Sequence, residues 1–144
     1  MSARSLTEAA VRQMMPFATT LDMRFDQLDP DEVTGRLTWA PSLCTAGGVM
    51  HGGVLVSLAD SVAGVCAYLN LPPAAMTTTI ELKTNFFAGV RRGVVRATAR
   101  PIHIGRSVIV VQTDLEQPAD EGSIGTGTTP VRVGMVTQSQ IVLG

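Results

Sequence analysis

The chain has 144 residues, 45% of them apolar and only 16% charged, with a formal net charge of −1. That length suits one domain able to bury a core without disulfide staples, and the near-neutral charge excludes the basic footprint of a nucleic-acid binder. The chain is greasier than an average soluble monomer, which predicts that another copy of it covers part of the apolar surface.

In chain order, Leu6 to Met15 (LTEAAVRQMM) patterns as a short amphipathic helix stopped by Pro16. It forms a lead-in over residues 1–18 to a single domain spanning 1–144. Thr20 to Leu28 predicts a strand, and DPDE at Asp29 to Glu32 supplies a turn containing proline. Val33 to Trp39 alternates, with Val33, Leu37 and Trp39 on one side and Thr34, Arg36 and Thr38 on the other, the pattern of a half-buried strand. Pro41 to Met50 reads as a loop closing on Gly47-Gly48.

From Gly53 to Asn70 the spacing changes to helical. Leu55, Leu58, Val62, Val65, Cys66 and Leu69 fall on one stripe, and Asn70 before Pro72-Pro73 ends it. Asp60 belongs to a different stripe, with Ser57, Ser61, Gly64 and Tyr68. The apolar run is shorter than a bilayer span needs and carries Asp60 centrally, so no membrane segment is expected.

Everything later reads as strand. Met76 to Phe87 sets Ile80, Leu82 and Phe86 against Glu81, Lys83 and Asn85. AGVRRG turns the chain, Val94 to Ile104 runs back, and Ser107 to Glu116 returns. QPADEG turns again, and Gly122 to Val136 supplies a last strand rich in glycine and threonine. Consecutive strands with short turns predict an antiparallel meander with one helix across it, an α+β plan.

The cysteines, Cys44 and Cys66, and the histidines, His51 and His103, have no close spacing. They carry no metal signature, and no metal or redox cofactor is expected. Cys66 reads as a small core residue. With no leader-like opening, this cysteine usage predicts a reducing, cytoplasmic setting.

HGGVLVSLAD, running from His51 to Asp60, together with TIELKTNFFAGVRRG and the order of elements, resembles the hotdog-fold thioesterases. The nearest type is the acyl-CoA thioesterases of the phenylacetate pathway, and the resemblance covers roughly Thr20 to Val136. It implies an antiparallel β-sheet wrapped around one long central helix. It also implies an acyl-CoA substrate, with coenzyme A entering only as part of that substrate, and a homo-oligomer, either a dimer or a dimer of dimers. His51-Gly52-Gly53 matches the motif whose backbone N–H binds the thioester carbonyl. Asp60 matches the carboxylate that activates water or attacks directly. Thr78 or Thr79 falls where some relatives hold the water with a hydroxyl. Several relatives have Asn six residues before the His; Thr45 stands there in this chain, and a hydroxyl would take part of that role.

The residues themselves support this chemistry. The unpaired N–H groups of a helix's first turn, added to its dipole, form an anion site suited to a developing oxyanion, and Gly52 and Gly53 would let a ligand approach the backbone. Asp60 follows Gly52 by eight residues, about 12 Å along a helix at 1.5 Å per residue. A base and an oxyanion donor must both lie about 3 Å from one reacting centre, so one chain's helix cannot supply both. Two antiparallel helices can, which predicts active sites shared between subunits. Arg91, Arg92 and Arg106, at turns, either stay solvated or meet the phosphates of coenzyme A. Met14, Met15 and Phe17 either pack the N-terminal helix or line an acyl pocket. Glu81 and Lys83 read as a solvent-facing pair and His103 as structural. The rival function is a non-catalytic acyl-CoA-binding or regulatory protein of the same fold.

Overall fold

A computed structural model describes residues 4–119 and 129–144. The N-terminal lead-in is two short helices, α1 (Glu8–Met14) and α2 (Pro16–Thr20). Thr7 caps α1 by accepting a hydrogen bond from the Ala10 N–H at 3.2 Å. Pro16 ends the first helix, as expected, and also opens a second, because proline suits a first helical position. The first strand therefore starts later than the expected Thr20. β1 covers Arg24–Asp29, after Asp22 reverses the chain with a left-handed φ of 53°. Glu8 ties α1 to β1 by accepting from the Phe25 N–H at 3.2 Å and pairing with Arg24 at 2.9 Å.

β2 (Glu32–Thr38) buries Val33 and Leu37. Helix α3 (Gly52–Leu69) buries all six stripe residues read from the sequence, and packs against every strand. It has the length and hydropathy of a membrane span, but half of it lies buried in the fold, the setting of a core helix. Burial, with Asp31 nearby, pushes the Cys66 thiol up to about 12, in keeping with a small core residue.

Four strands follow: β3 (Met76–Phe86), β4 (Val94–Ile104), β5 (Val108–Gln117) and β6 (Val131–Leu143). All pairs are antiparallel, in the spatial order β1-β2-β4-β5-β6-β3. The expected meander is therefore corrected: of the four strands after α3, β4, β5 and β6 follow one another and β3 does not. At about 1.5 Å per residue α3 is long enough to carry the chain from β2 across four strand spacings of about 4.8 Å. β3 consequently lands on the far edge, against β6. The segment read as a turn after it is a crossing, held by Phe87 N–H to Val133 O, Met50 N–H to Val90 O and Trp39 N–H to Gly93 O, each 2.8 Å.

Two strand readings change. Alternation in β3 breaks at a bulge, since Thr79 pairs with Gln140 and Glu81 with Ser139, leaving Ile80 opposite nothing. Ile80 is 56% exposed and Phe86 49% exposed, and Thr77, Thr79, Leu82 and Thr84 take the more protected face. Glu81 and Lys83 are both exposed, and among the described residues they form no ion pair with each other. The last strand runs seven residues past its expected end at Val136, because Gln138 and Gln140 face the core. Its expected beginning, and much of the QPADEG turn, lie outside the described residues.

Candidate active site

The loop before α3 is held at several points. Gly47 and Gly48 adopt φ of 78° and 73°, the left-handed region that favours glycine. Trp39 Nε1 donates to Gly48 O at 3.1 Å and Arg91 to Gly47 O at 2.9 Å. The Thr45 N–H donates to Val49 O and the His51 N–H to Leu43 O, both at 2.8 Å. This delivers His51 to the N-cap of α3, where its Nδ1 accepts from the Gly53 N–H at 2.8 Å. An acceptor at Nδ1 leaves the proton of the neutral ring on Nε2.

That cap determines which first-turn donor stays free. Gly53 is taken by the imidazole, and Val54 and Leu55 donate to His51 O at 2.9 and 3.3 Å. The Gly52 N–H has no partner among the described residues. It lines a cavity of about 400 Å³ with Thr45, Met50, Leu55 and the segment Phe86 to Gly89. A Cβ on Gly53 would lie 2.9 Å from His51 Nδ1, and one on Gly52 would lie 3.1 Å from the Phe86 ring, so a side chain at either position would crowd this chain's own residues at the cavity edge.

Asp60 opens into a different cavity, of about 420 Å³, which shares no lining residue with the first. Its walls come from Leu6, Val11, Met14 and Met15 of the lead-in, from Ser61, Gly64, Val65 and Tyr68 of α3, and from the start of β3. Asp60 Oδ1 accepts from the Thr79 hydroxyl at 2.8 Å and from Gln138 Nε2 at 2.9 Å. Oδ2 accepts nothing from the described residues. Of the two threonines left open by the sequence, Thr79 bonds Asp60, while Thr78 sits exposed at the rim.

The remaining candidates scatter. Arg91 braces the Gly47 loop and Arg92 is exposed beside it, its carbonyl accepting from Gln117 Nε2 at 2.7 Å. Arg106 lies beyond the end of β4, while Arg91 and Arg92 precede its start, so one chain does not gather the three around one phosphate. His103 is exposed on β4, and Phe17, also exposed, is absent from the cavity that Met14 and Met15 line. No group of three or more His, Cys, Asp or Glu side chains among the described residues is placed to hold a metal ion.

Two functional candidates escaped the sequence reading. Gln138 and Gln140 are each 1% exposed, and they flank the carboxylate and the hydroxyl of Thr79. Their signal was present: two polar amides at alternate positions of a strand whose other inward residues, such as Val133 and Val136, are apolar.

The family described as the thioesterase superfamily matches residues 47–123, more than half of the chain, from the loop before His51 through β5. A thioesterase from Pseudomonas aeruginosa is 31% identical over 71% of this chain and 70% of its own length. The crystal structure of a variant of that protein superposes with a TM-score of 0.81, at 24% identity over 97% and 96% of the two chains. The 1,4-dihydroxy-2-naphthoyl-CoA hydrolase of Escherichia coli is 28% identical over 66% of this chain and 70% of its own. A crystallised thioesterase from Haemophilus influenzae, 22% identical over 99% and 94% of the two chains, gives a TM-score of 0.83. The architecture shared with these structures is the hotdog fold, a sheet curled around one long helix.

Proposed function

The chain belongs to the thioesterase superfamily, and from that premise we propose that it hydrolyses acyl-CoA thioesters to free acid and coenzyme A at sites shared between two copies. One observation carries this reading. Gly52, whose N–H has no partner among the described residues, and Asp60, whose Oδ2 has none there either, line separate cavities of one chain, about 12 Å apart along the helix at 1.5 Å per residue. A reacting carbonyl needs both groups within about 3 Å. A second, antiparallel copy would bring Gly52 of one protomer beside Asp60 of its partner. β3 supports such an arrangement. It is an eleven-residue edge strand with exposed Met76, Ile80 and Phe86, and the Asp60 cavity opens at its start. Long apolar edges are normally covered.

In the proposed reaction, a water gives a proton to Asp60 Oδ2 while its oxygen attacks the thioester carbon. The Gly52 N–H holds the oxyanion. The C–S bond then breaks, and the coenzyme A sulfur leaves with the proton returned from Asp60. In the covalent variant Asp60 attacks first and water hydrolyses the resulting anhydride. Single turnover in ¹⁸O-water tests the covalent route. Label on Asp60 requires an anhydride that water opens at the Asp60 carboxyl carbon, whereas attack at the acyl carbon labels the product acid, as the direct route does. His51 acts through the loop, by capping Gly53. Arg91 and Arg92, at the Gly52 end, are the nearer candidates for the phosphates of coenzyme A. Among the described residues Asp60 is the only acidic side chain lining its cavity and no basic one joins it, and the walls are otherwise mostly apolar, which favours an uncharged acyl group over one ending in a carboxylate. The name of the Escherichia coli relative points to an aromatic acyl-CoA, so a substrate panel should begin there.

Complementation tests the shared site. Gly52→Pro removes the N–H at a position where proline suits the helix, and Asp60→Asn removes the base. Each variant alone should be nearly inactive. After subunit exchange, half of the dimers are mixed and each holds one intact site, so about a quarter of wild-type activity should return. If both variants are folded and exchanged yet no activity returns, the shared site is wrong.

A further inference from the structure

β6 places Gln138 and Gln140 at successive core-facing positions, each 1% exposed. Burying an amide is unfavourable unless its donors and acceptor are met. Gln140 Nε2 donates to Thr79 Oγ1 at 2.7 Å, and its Oε1 lies 3.3 Å from the Thr77 hydroxyl, whose one proton is shared with Ile141 O at 2.8 Å. Gln138 is met on one side only. Its Nε2 donates to Asp60 Oδ1 at 2.9 Å and reaches Thr79 Oγ1 at 3.5 Å, while its Oε1 is buried without a partner among the described residues.

The amide cannot be turned over to repair this. Rotation would set Oε1 against an oxygen of the Asp60 carboxylate and bury the NH₂ group where the carbonyl now sits. With Asp60 ionised, only the present orientation is attractive, and it leaves the carbonyl orphaned. The other unpartnered buried polar side-chain atom among the described residues, Thr113 Oγ1, lies on β5 opposite Val136 and does not reach it. Among the described residues the core thus holds an unpartnered acceptor on the same amide whose N–H is aimed at Asp60.

We infer that Gln138 is a positioning residue for Asp60, with Gln140 acting behind it through Thr79. Gln140 Nε2 occupies the Thr79 oxygen, so the hydroxyl proton points to Asp60 Oδ1. Gln138 supplies the second donor to that same oxygen. With Oδ1 held twice, Oδ2 is the oxygen presented to the cavity. The inference rests on the hydrolase reading of Asp60 and extends it to residues on the strand beyond β3.

The test is Gln138→Met, which keeps the length of the side chain and deletes both the donor and the orphaned carbonyl. On the acyl-CoA that the wild type turns over best, kcat should fall roughly 10-fold or more, the scale of one lost hydrogen bond to a charged group. KM should stay within about twofold, and Tm should hold or rise. Thr79→Val should show the same split, with Thr79→Ser recovering most of the loss. A glutamine kept for the core behaves oppositely. If Gln138→Met lowers Tm, whatever its kcat, or leaves kcat unchanged, the positioning role is overturned. Wild-type protein without turnover on any acyl-CoA sinks the hydrolase reading and this inference together. Wild-type turnover with an unaffected Gln138→Met sinks this inference alone.

Discussion

The two ends of the proposed chemistry, Gly52 at the mouth of α3 and Asp60 in its middle, are built by different means. At the mouth the working group is a backbone N–H, and a short stretch of chain creates it. His51 caps Gly53, Val54 and Leu55 turn back to His51 O, and Gly52 is the donor left over. In the middle of the helix the working group is a side chain, and distant strands create its geometry. Thr79 comes from one edge of the sheet and Gln138 from the strand beside it, 78 positions from Asp60. An oxyanion donor needs only the unmade hydrogen bonds that every helix start possesses. An aligned carboxylate needs partners on a third side, which its own helix cannot supply.

The comparison is broken most directly by removing the groups themselves. Asp60→Ala should lower kcat by about 100- to 10,000-fold, the range for a positioned acid or base, with the fold retained but Tm lowered, because the buried Gln138 Nε2 and the Thr79 hydroxyl lose their acceptor. Rates measured on the acyl-CoA panel check this, and near-wild-type turnover would remove Asp60 from the mechanism. Gly52→Pro should cost about 100- to 1,000-fold, again with the fold retained.

His51→Ala sharpens the contrast at the helix mouth. Losing a capping side chain should reduce unfolding free energy by about 1 kcal/mol, read from denaturant midpoints. It also frees the Gly53 N–H beside Gly52, so stability and rate should fall together, unlike the split expected of Gln138→Met on the Asp60 side.

The smallest expected effect lies on the packed face of the same helix. The Cys66 thiol ionises near 9.0 when unfolded and is pushed up to about 12 when folded, chiefly by burial and secondarily by Asp31. Between those values the unfolded state has already lost its proton, so stability should decline as pH rises from about 9 to 12. Below pH 9 both states keep the proton and Cys66 contributes no slope. Tm against pH for wild type and Cys66→Ala reads this out, and the alanine variant should decline less steeply over that window.

Much of the site was legible from residues alone, and the misses share one cause. The boundaries of α3, its apolar stripe, the separate stripe bearing Asp60 and the strand from Val94 to Ile104 all follow from spacings of two to four residues. A rise of about 1.5 Å per residue likewise imposes the 12 Å between Gly52 and Asp60, whereas the choice of His51-Gly52-Gly53 rests on the family resemblance of HGGVLVSLAD. The glutamines lie just past Val136, where the last strand is expected to end, in the polar run TQSQ. The partner that explains a core-facing amide there, Asp60, lies on another element. The bulge at Ile80 was equally hidden, because one extra residue reverses the facing of its neighbours without any change in composition.

What the amino-acid order determined by itself is therefore local: where the helix begins, that its first turn offers unpaired N–H groups, and which helix face carries the carboxylate. The tertiary structure alone decided that β3 forms the far edge against β6, that Thr79 rather than Thr78 meets Asp60, and that Gln138 is aimed at the same oxygen. The physical reason is range. Capping and periodicity act within one or two turns of a helix, whereas a carboxylate's hydrogen-bond partners depend on strand order and register, which are set only when the whole sheet closes around α3.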